Sequence, residues 1–129
     1  NGPMHLVHQK LQGDVRPGDV FIHNGEHNFG NFAYYFPDHE HYLHLPDPAA
    51  AYGNYEVFDQ HGRFGNDLTP LLQKSRVIWL TLATNDTRKF PREVLAKAGY
   101  QSRPGDPRFF DNGHPWYKVR VFRFERPAP

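Results

Sequence analysis

The sequence predicts an α/β fold, a three-layer sandwich around a mostly parallel sheet with an antiparallel C-terminal edge strand. Three observations lead to this prediction. Strand-like and helix-like patterns alternate along most of the chain, which is typical of parallel sheets covered by helices. Residues 20–22 and 76–83 are apolar without polar alternation, as in strands that are buried on both faces. The chain has 129 residues and no internal repeat, so residues 1–129 are expected to form a single soluble domain.

The first element is predicted to be a short amphipathic helix over residues 4–12. Met4, Val7 and Leu11 recur at helical spacing, which places them on one face. Gly13 follows directly, as glycine often does after the last helical residue.

The next elements are predicted to be a strand, a helix and a second strand. A turn signal rich in proline and glycine precedes the apolar strand 20–22. Residues 28–36 carry four apolar side chains at helical spacing and end before a proline, which indicates a helix. Residues 40–45 are a second possible strand. Residues 46–65 are otherwise loop-like, with a weak third strand at 55–58.

The second half is predicted to continue the alternation. A helix over residues 68–74 follows an Asn-Asp pair that suits N-capping, and the apolar run 76–83 is predicted to be a central parallel strand. A further helix with Pro91 near its first turn is predicted to end at Gly99, before the final strand 116–125. The apolar face of this last helix is predicted to consist of Phe90, Val94, Leu95 and Ala98.

The final strand has apolar residues on both of its faces. Val119 and Val121 share one face, whereas Phe122 and Phe124 share the other. Either a bulge in the strand or burial on both sides explains this change.

Charge and cysteine content exclude several classes of function. The chain has 15 Lys and Arg against 14 Asp and Glu, a formal net charge of +1, which argues against a nucleic-acid partner. It contains no cysteine, which excludes disulfides and thiolate metal sites. Its apolar runs are far shorter than the roughly 20 residues that cross a bilayer. The nine histidines are an excess for this length and are the first candidates for chemistry.

One hypothesis assigns the histidines to a divalent metal. His39 and His41 would project from the same face of a strand, and a third ligand could come from His23, Glu26 or His27. The predicted ligand set is His23, His27, His39 and His41. Spacing alone is weak evidence for such a site, and ordinary surface or loop histidines are the competing interpretation.

A second hypothesis places a ligand where parallel strands end. Ligands of α/β sheets gather at the carboxyl ends of strands, so the polar residues after strands 20–22 and 76–83 are expected to line one crevice. They would bind a small molecule or an ion. These candidate ligand-binding residues are His23, Asn24, Glu26, His27, Asn85 and Asp86. Ordinary loop and helix-cap chemistry is the competing interpretation.

Other familiar motifs are missing from the sequence. The chain has no GxGxxG after its first strand, no P-loop, no GxSxG and no HExxH, so the usual signatures of nucleotide binding, serine acyl transfer and zincin chemistry are absent. Gly62-Arg63-Phe64-Gly65 has the GxxG form of an RNA-binding clamp without the flanking helices. It is interpreted as a turn.

Five segments, in this order and spacing, carry a resemblance to a known family. They are Arg16-Pro17-Gly18-Asp19-Val20, Phe32-Ala33-Tyr34-Tyr35-Phe36, Leu71-Leu72 before Arg76-Val77-Ile78-Trp79-Leu80, Ala98-Gly99-Tyr100 and Val119-Arg120-Val121-Phe122-Arg123-Phe124. Over most of its length the chain resembles the C-terminal extracytoplasmic domain of bacterial family 39 membrane glycosyltransferases. This group includes protein mannosyltransferase-like and aminoarabinose transferase-like enzymes.

The resemblance implies a parent enzyme that transfers a sugar from a polyprenyl-phosphate donor at the extracytoplasmic, periplasmic face of the membrane. The family's catalytic acidic residues lie in loops of the membrane part, so the resemblance assigns no catalytic residue and no cofactor to this chain. The implied partners are the transmembrane part of the same polypeptide and a glycan or lipid-linked sugar acceptor. Residues 1–13 are then expected to be a linker helix from the membrane region. The histidine-rich stretch 26–44 is not part of the family pattern.

The leading hypothesis is therefore a non-catalytic domain that caps the membrane part or orients the acceptor. Five tyrosines are candidates for stacking on sugar rings or lying at the membrane interface: Tyr34, Tyr35, Tyr42, Tyr52 and Tyr55. The alternative is a small metal-dependent enzyme or metal-binding protein that uses the His23 to His44 cluster. A third hypothesis is a protein-interaction module that uses loop 46–65.

Overall fold

Four helices and seven strands make up the part of the chain that the computed structural model describes, which is residues 3–45, 62–83, 91–111 and 118–127. The helices are α1 (Pro3–Leu11), α2 (Glu26–Tyr35), α3 (Thr69–Lys74) and α4 (Arg92–Lys97). The strands are β1 (Val20–His23), β2 (Glu40–His44), β3 (Gly62–Gly65), β4 (Val77–Ala83), β5 (Gln101–Ser102), β6 (Arg108–Asp111) and β7 (Lys118–Glu125).

The strands form one mixed sheet in the order β3-β2-β1-β4-β7-β5, and β6 also pairs with β7. The pairs β3 with β2, β2 with β1, and β1 with β4 are parallel. The strand β7 is antiparallel to β4. The predicted fold class, a three-layer α/β sandwich with a mostly parallel sheet and an antiparallel C-terminal strand, is confirmed. The short strands β5 and β6 add to this side of the sheet by pairing with β7.

Two apolar layers, one on each face of the sheet, form the core. One layer packs the helices α1 and α2 against the sheet, and the other packs α3 and α4. The first includes Met4, Val7, Leu11, Phe21, Phe32, Trp79, Val119 and Val121. The second includes Val20, Ile22, Leu71, Ile78, Leu80, Leu82, Leu95, Phe122 and Phe124. This two-sided burial explains why the central strands lack polar alternation.

The strand β7 shows the same two-sided burial. Its register with β4 runs without interruption from the pair Val77 and Glu125 to the pair Ala83 and Val119, so the ladder contains no bulge. The valines of β7 face the α1 and α2 layer, and its phenylalanines face the other layer. Of the two explanations that the sequence allowed, burial on both sides is confirmed.

Two strands of the structure, β3 and β6, differ from the sequence prediction. The pattern of Gly62-Arg63-Phe64-Gly65 predicts a turn, but the segment forms β3 and pairs in parallel with β2. Gly65 has a φ of +143°, and a Cβ there would lie 3.0 Å from the Tyr42 hydroxyl, so glycine suits this close approach. The strand β6 was not predicted. The weak strand at 55–58 lies outside the described residues.

The helix boundaries show smaller differences. The helix α2 begins at Glu26, two residues before the predicted start. On α4, Leu95 is buried as predicted, but Val94 is exposed, so the prediction was wrong for this residue. Asp67 Oδ1 accepts a hydrogen bond of 3.1 Å from the Thr69 amide at the start of α3.

In the described ranges, no helix combines the length and the apolar content that a membrane span requires.

Candidate functional site

A chain of buried hydrogen bonds starts at the carboxyl end of β1 and joins β4, β1 and β2 to the end of α2. The Thr81 hydroxyl lies 2.6 Å from Nδ1 of His23, and Nε2 of His23 lies 2.8 Å from Nδ1 of His41. Nε2 of His41 lies 2.8 Å from the backbone carbonyl of Phe36, just beyond α2. Thr81 and His23 are also direct neighbours in the register of β4 and β1.

The donor of each hydrogen bond can be assigned by starting from the last acceptor, the Phe36 carbonyl. A carbonyl oxygen can only accept, so His41 donates from Nε2 and its neutral ring accepts at Nδ1. His23 must then donate from Nε2, which leaves its Nδ1 to accept the proton of the Thr81 hydroxyl. With both rings neutral, all four ring nitrogens of the pair therefore take part in hydrogen bonds.

Aromatic rings surround His23 and exclude water. The His41 ring stacks on it with centroids 5.1 Å apart, and the Phe21 ring stacks at 5.7 Å. Phe32 lies 5.3 Å away, and Phe29 contacts the ring edge-on at 5.9 Å. Burial, with a smaller contribution from the nearby His41, lowers the pKa of His23 well below its ordinary value of 6.5. We infer that this imidazole is neutral in the folded protein near pH 7.

Asn24 lies directly after β1, beside β4, at the point where the strand order of the sheet reverses. Its backbone amide donates to the Thr81 carbonyl at 3.0 Å, and its side-chain oxygen lies 2.9 Å from Nδ1 of His44. Because this oxygen accepts, His44 donates from Nδ1. Asn24 is buried, so this part of the expected crevice is filled by the protein's own polar groups.

The remaining residues of the predicted ligand crevice lie elsewhere or outside the described chain. Glu26 and His27 are exposed in the first turn of α2, whereas His23 and Asn24 are buried beneath it. Asn85 and Asp86 lie outside the described residues. A ligand-binding role for this set stays a prediction.

The predicted metal ligands are brought partly together. His39 and His41 share a face, as expected, and both rings pack against Phe21. His39, however, donates from Nδ1 to the backbone carbonyl of Asp19 at 2.8 Å, and His41 is bonded to His23. Within the described ranges, no group of three His, Cys, Asp or Glu residues is placed to hold a metal ion. A metal at the His23 and His41 pair would have to displace these hydrogen bonds, and the metal hypothesis stays a prediction.

Comparisons with known proteins identify no family for the chain. No protein-family model and no curated protein matches it. Among solved structures, a dihydrofolate reductase from Enterococcus faecalis, complexed with NADP(H) and RAB-propyl, is similar at 12% identity and a TM-score of 0.36. The match covers 99% of this chain and 84% of that chain. So low a TM-score carries no argument about cofactor or activity.

The structure describes three of the five tyrosines that were predicted to contact sugars or the membrane interface. Tyr42 is buried, and its hydroxyl donates to a backbone carbonyl in the turn before α3, so the prediction was wrong for this residue. Tyr34 is 77% exposed on α2, and Tyr35 lies half-buried next to it. Tyr52 and Tyr55 lie outside the described residues.

Thr81 is the residue of this cluster that sequence reasoning missed. It interrupts the apolar run of β4 with a hydroxyl, and it is completely buried. A buried hydroxyl needs a hydrogen-bond partner, so a threonine inside such a run is a signal that another polar side chain faces it. Its partner lies 58 residues earlier in the chain.

Proposed function

We propose that this chain is the extracytoplasmic, non-catalytic domain of a membrane glycosyltransferase that uses a polyprenyl-phosphate sugar donor. In this role the domain orients the sugar acceptor. The observation that carries the proposal, beside the family resemblance of the sequence, is the aromatic surface on α1 and α2. We call it the tyrosine surface, and it consists of His5, His8, Tyr34 and Tyr35.

The tyrosine surface is built from rings that support one another. The Tyr34 and Tyr35 rings meet edge-on, with centroids 5.1 Å apart and an angle of 85° between their planes. His8 of α1 stacks on Tyr35 at 5.4 Å, and His5 approaches it at 6.4 Å. These contacts hold Tyr35 in place, while Tyr34 remains open to solvent. Tyrosine suits sugar recognition because it combines an apolar ring with a hydroxyl that forms hydrogen bonds.

The helices α1 and α2 that carry this surface are anchored to the sheet. Met4, Val7 and Leu11 of α1 are buried against the sheet, and Phe32 of α2 is buried in the same layer. A rigid base reduces the conformational entropy that a bound ligand must overcome. Under this proposal the hydrogen-bonded pair His23 and His41 stabilises the layer that supports the surface.

The gene that encodes the chain tests the proposed context directly. The proposal requires the reading frame upstream of the Met4 codon to encode several stretches of about 20 apolar residues. A frame without such stretches contradicts it. Equally, deletion of this domain from the parent enzyme must change the transfer rate or the choice of acceptor, and an unchanged enzyme contradicts the orienting role.

The substitution Tyr34→Ala tests the role of the tyrosine surface. In the membrane-bound parent we expect the KM for the acceptor to rise roughly three- to tenfold with little change in kcat, because one aromatic contact is lost. Steady-state sugar transfer with varied acceptor measures this change. The matched control is Phe109→Ala, which removes another exposed aromatic ring on β6, outside the tyrosine surface. Equal effects of the two substitutions would contradict a specific contact at Tyr34.

A further inference from the structure

A second polar feature lies at the other end of β4 from the histidine pair. Here an open groove of about 380 Å³ is formed at the start of β4, beside β5 and the end of β7. Its polar lining consists of Arg76, Gln101, Ser102, Arg103, Arg123 and Glu125. Three arginines face one glutamate in this lining, a formal charge of +2, although the whole chain carries only +1. Asp14 and Asp106 also pair with arginines of this lining, so the groove gathers guanidinium groups without an excess of positive charge.

Two of the arginines are held in place by a buried indole. The guanidinium groups of Arg103 and Arg123 lie 5.6 and 6.0 Å from the ring of Trp79. The indole is itself fixed, because its N–H donates to the Asp19 carboxylate at 3.0 Å. Stacking on an aromatic ring leaves the edge of a guanidinium available for planar hydrogen bonds to an oxyanion.

Carboxylates on several sides of the groove form ion pairs with these arginines. Asp106, whose side chain is 1% exposed, accepts from the Arg123 amide at 2.6 Å and pairs with Arg103 at 3.5 Å. On the groove side, Glu125 pairs with Arg123 at 3.2 Å and with Arg76 at 3.6 Å. The Glu125 side chain is 44% exposed, so solvent screens its ion pairs and another anion can replace it.

We propose that this groove binds a phosphate group carried by a larger molecule. Guanidinium groups from three separate segments surround the groove, and a tetrahedral phosphate offers oxygens in several directions, whereas a carboxylate is planar. The volume leaves room for an adjoining group of about the size of a sugar. The site is independent of the tyrosine surface, since the two share no residue.

Titration of the 129-residue chain, followed by NMR of its backbone amides and arginine Nε–H groups, tests the site. The probes are inorganic phosphate and glucose 1-phosphate, with sodium chloride at equal ionic strength as the reference. We expect saturable shifts at Gln101, Ser102, Arg103 and Arg123 with both phosphates. Shifts that chloride reproduces, or that spread over all arginines, would overturn the proposal.

Substitutions at exposed positions separate the groove from general charge effects. We expect Arg76→Gln to weaken phosphate binding about tenfold, because a charge-assisted hydrogen bond is lost. Glu125→Gln is expected to strengthen it about threefold, because the competing carboxylate is removed. Arg16→Gln is the matched control, since Arg16 is exposed in the turn before β1 and lies outside the groove. The same loss in the control as in Arg76→Gln would overturn the site.

A vesicle assay distinguishes the source of the phosphate. Sedimentation with phosphatidylglycerol vesicles, against phosphatidylcholine vesicles, measures binding to an anionic lipid headgroup. Binding to phosphatidylglycerol that Arg76→Gln reduces supports a lipid source, whereas binding to glucose 1-phosphate alone supports a soluble one. If neither the vesicles nor glucose 1-phosphate bind, the proposal is overturned. None of these results bears on the tyrosine surface, which Tyr34→Ala tests separately.

Discussion

At the residue scale, the pair His23 and Thr81 shows how a histidine can be accommodated inside a core. Each ring nitrogen of His23 has a partner, and the neutral ring carries no charge that the aromatic surroundings would have to solvate. His41 accepts from His23 at Nδ1 and donates from Nε2 to the Phe36 carbonyl. In this direction the chain requires both rings to be neutral, because a protonated ring has two donors and no acceptor and would reverse the hydrogen bond to its neighbour.

The first prediction at this scale concerns pH. The unfolded His23 binds a proton below about pH 6.5, whereas the folded one, with its lowered pKa, does not until a lower pH. Between these two values the unfolded state holds more protons, so stability falls as the pH falls. We expect His23 to contribute a loss of up to about 1.4 kcal/mol per pH unit in that window. Urea unfolding between about pH 8 and pH 5 measures the slope.

Two further measurements assign this slope to His23. His23→Gln is expected to reduce it, whereas His27→Gln, at an exposed position of α2, is expected to keep it. NMR of the ring nitrogens in the unmodified chain needs no substitution and reports the neutral form with its proton on Nε2. A His23 ring that titrates with a midpoint near its ordinary value of 6.5 would contradict the prediction.

At the element scale, α1 illustrates how one face of a helix is committed to the core. Its residues Val7 and Leu11 are buried in the layer that also contains Trp79, whereas Leu6 of the same helix is 55% exposed. The spacing of the apolar residues was sufficient to predict this face. The partners of the face, which include Phe110 of β6, could not be predicted because they come from the other end of the chain.

The substitution Leu11→Ala tests whether α1 belongs to the cooperative core. Its side chain is completely buried, so we expect a loss of about 2–5 kcal/mol in the free energy of unfolding. Leu6→Ala is the matched control in the same helix and is expected to change stability by less than about 0.5 kcal/mol. Chemical denaturation measures both. A loss at Leu11 as small as that at Leu6 would show that α1 is not part of the cooperative unit.

At the scale of the whole molecule, the sheet is organised around β1, β4 and β7. These strands lie side by side, each with a partner on both edges, and helices cover both faces of the sheet. The strand β5, with its two exposed residues, has β7 as its sheet partner and lies at the outside. Stability is therefore expected to decrease from the middle of the sheet towards this edge.

Hydrogen exchange measures this gradient. Amides of β4 that bond to β1 and β7 are expected to exchange only through global unfolding, because opening them breaks both layers of the core. Amides of β5 and α4 are expected to exchange faster through local opening. Exchange rates from NMR, corrected for intrinsic rates, provide the comparison. Equal protection of β4 and β5 would contradict a stability gradient across the sheet.

The sequence by itself determined the α/β class, the parallel centre of the sheet and the position of most helices. These features depend on periodicity within a few residues, as in the apolar run of β4 or the spacing of Met4, Val7 and Leu11. Local spacing also predicted that His39 and His41 share a face. It failed at β3, where the pattern of Gly62-Arg63-Phe64-Gly65 suits a turn but pairing with β2 makes it a strand.

Only the tertiary structure decided what the polar residues do. It joined His23 to Thr81 across 58 residues, buried Tyr42 while leaving Tyr34 exposed, and gathered Arg76, Arg103 and Arg123 around one groove. The physical reason is that the pKa of a histidine, or the charge that an arginine presents, depends on neighbours brought close by folding. Those neighbours lie on other strands, so no local pattern in the chain contains them.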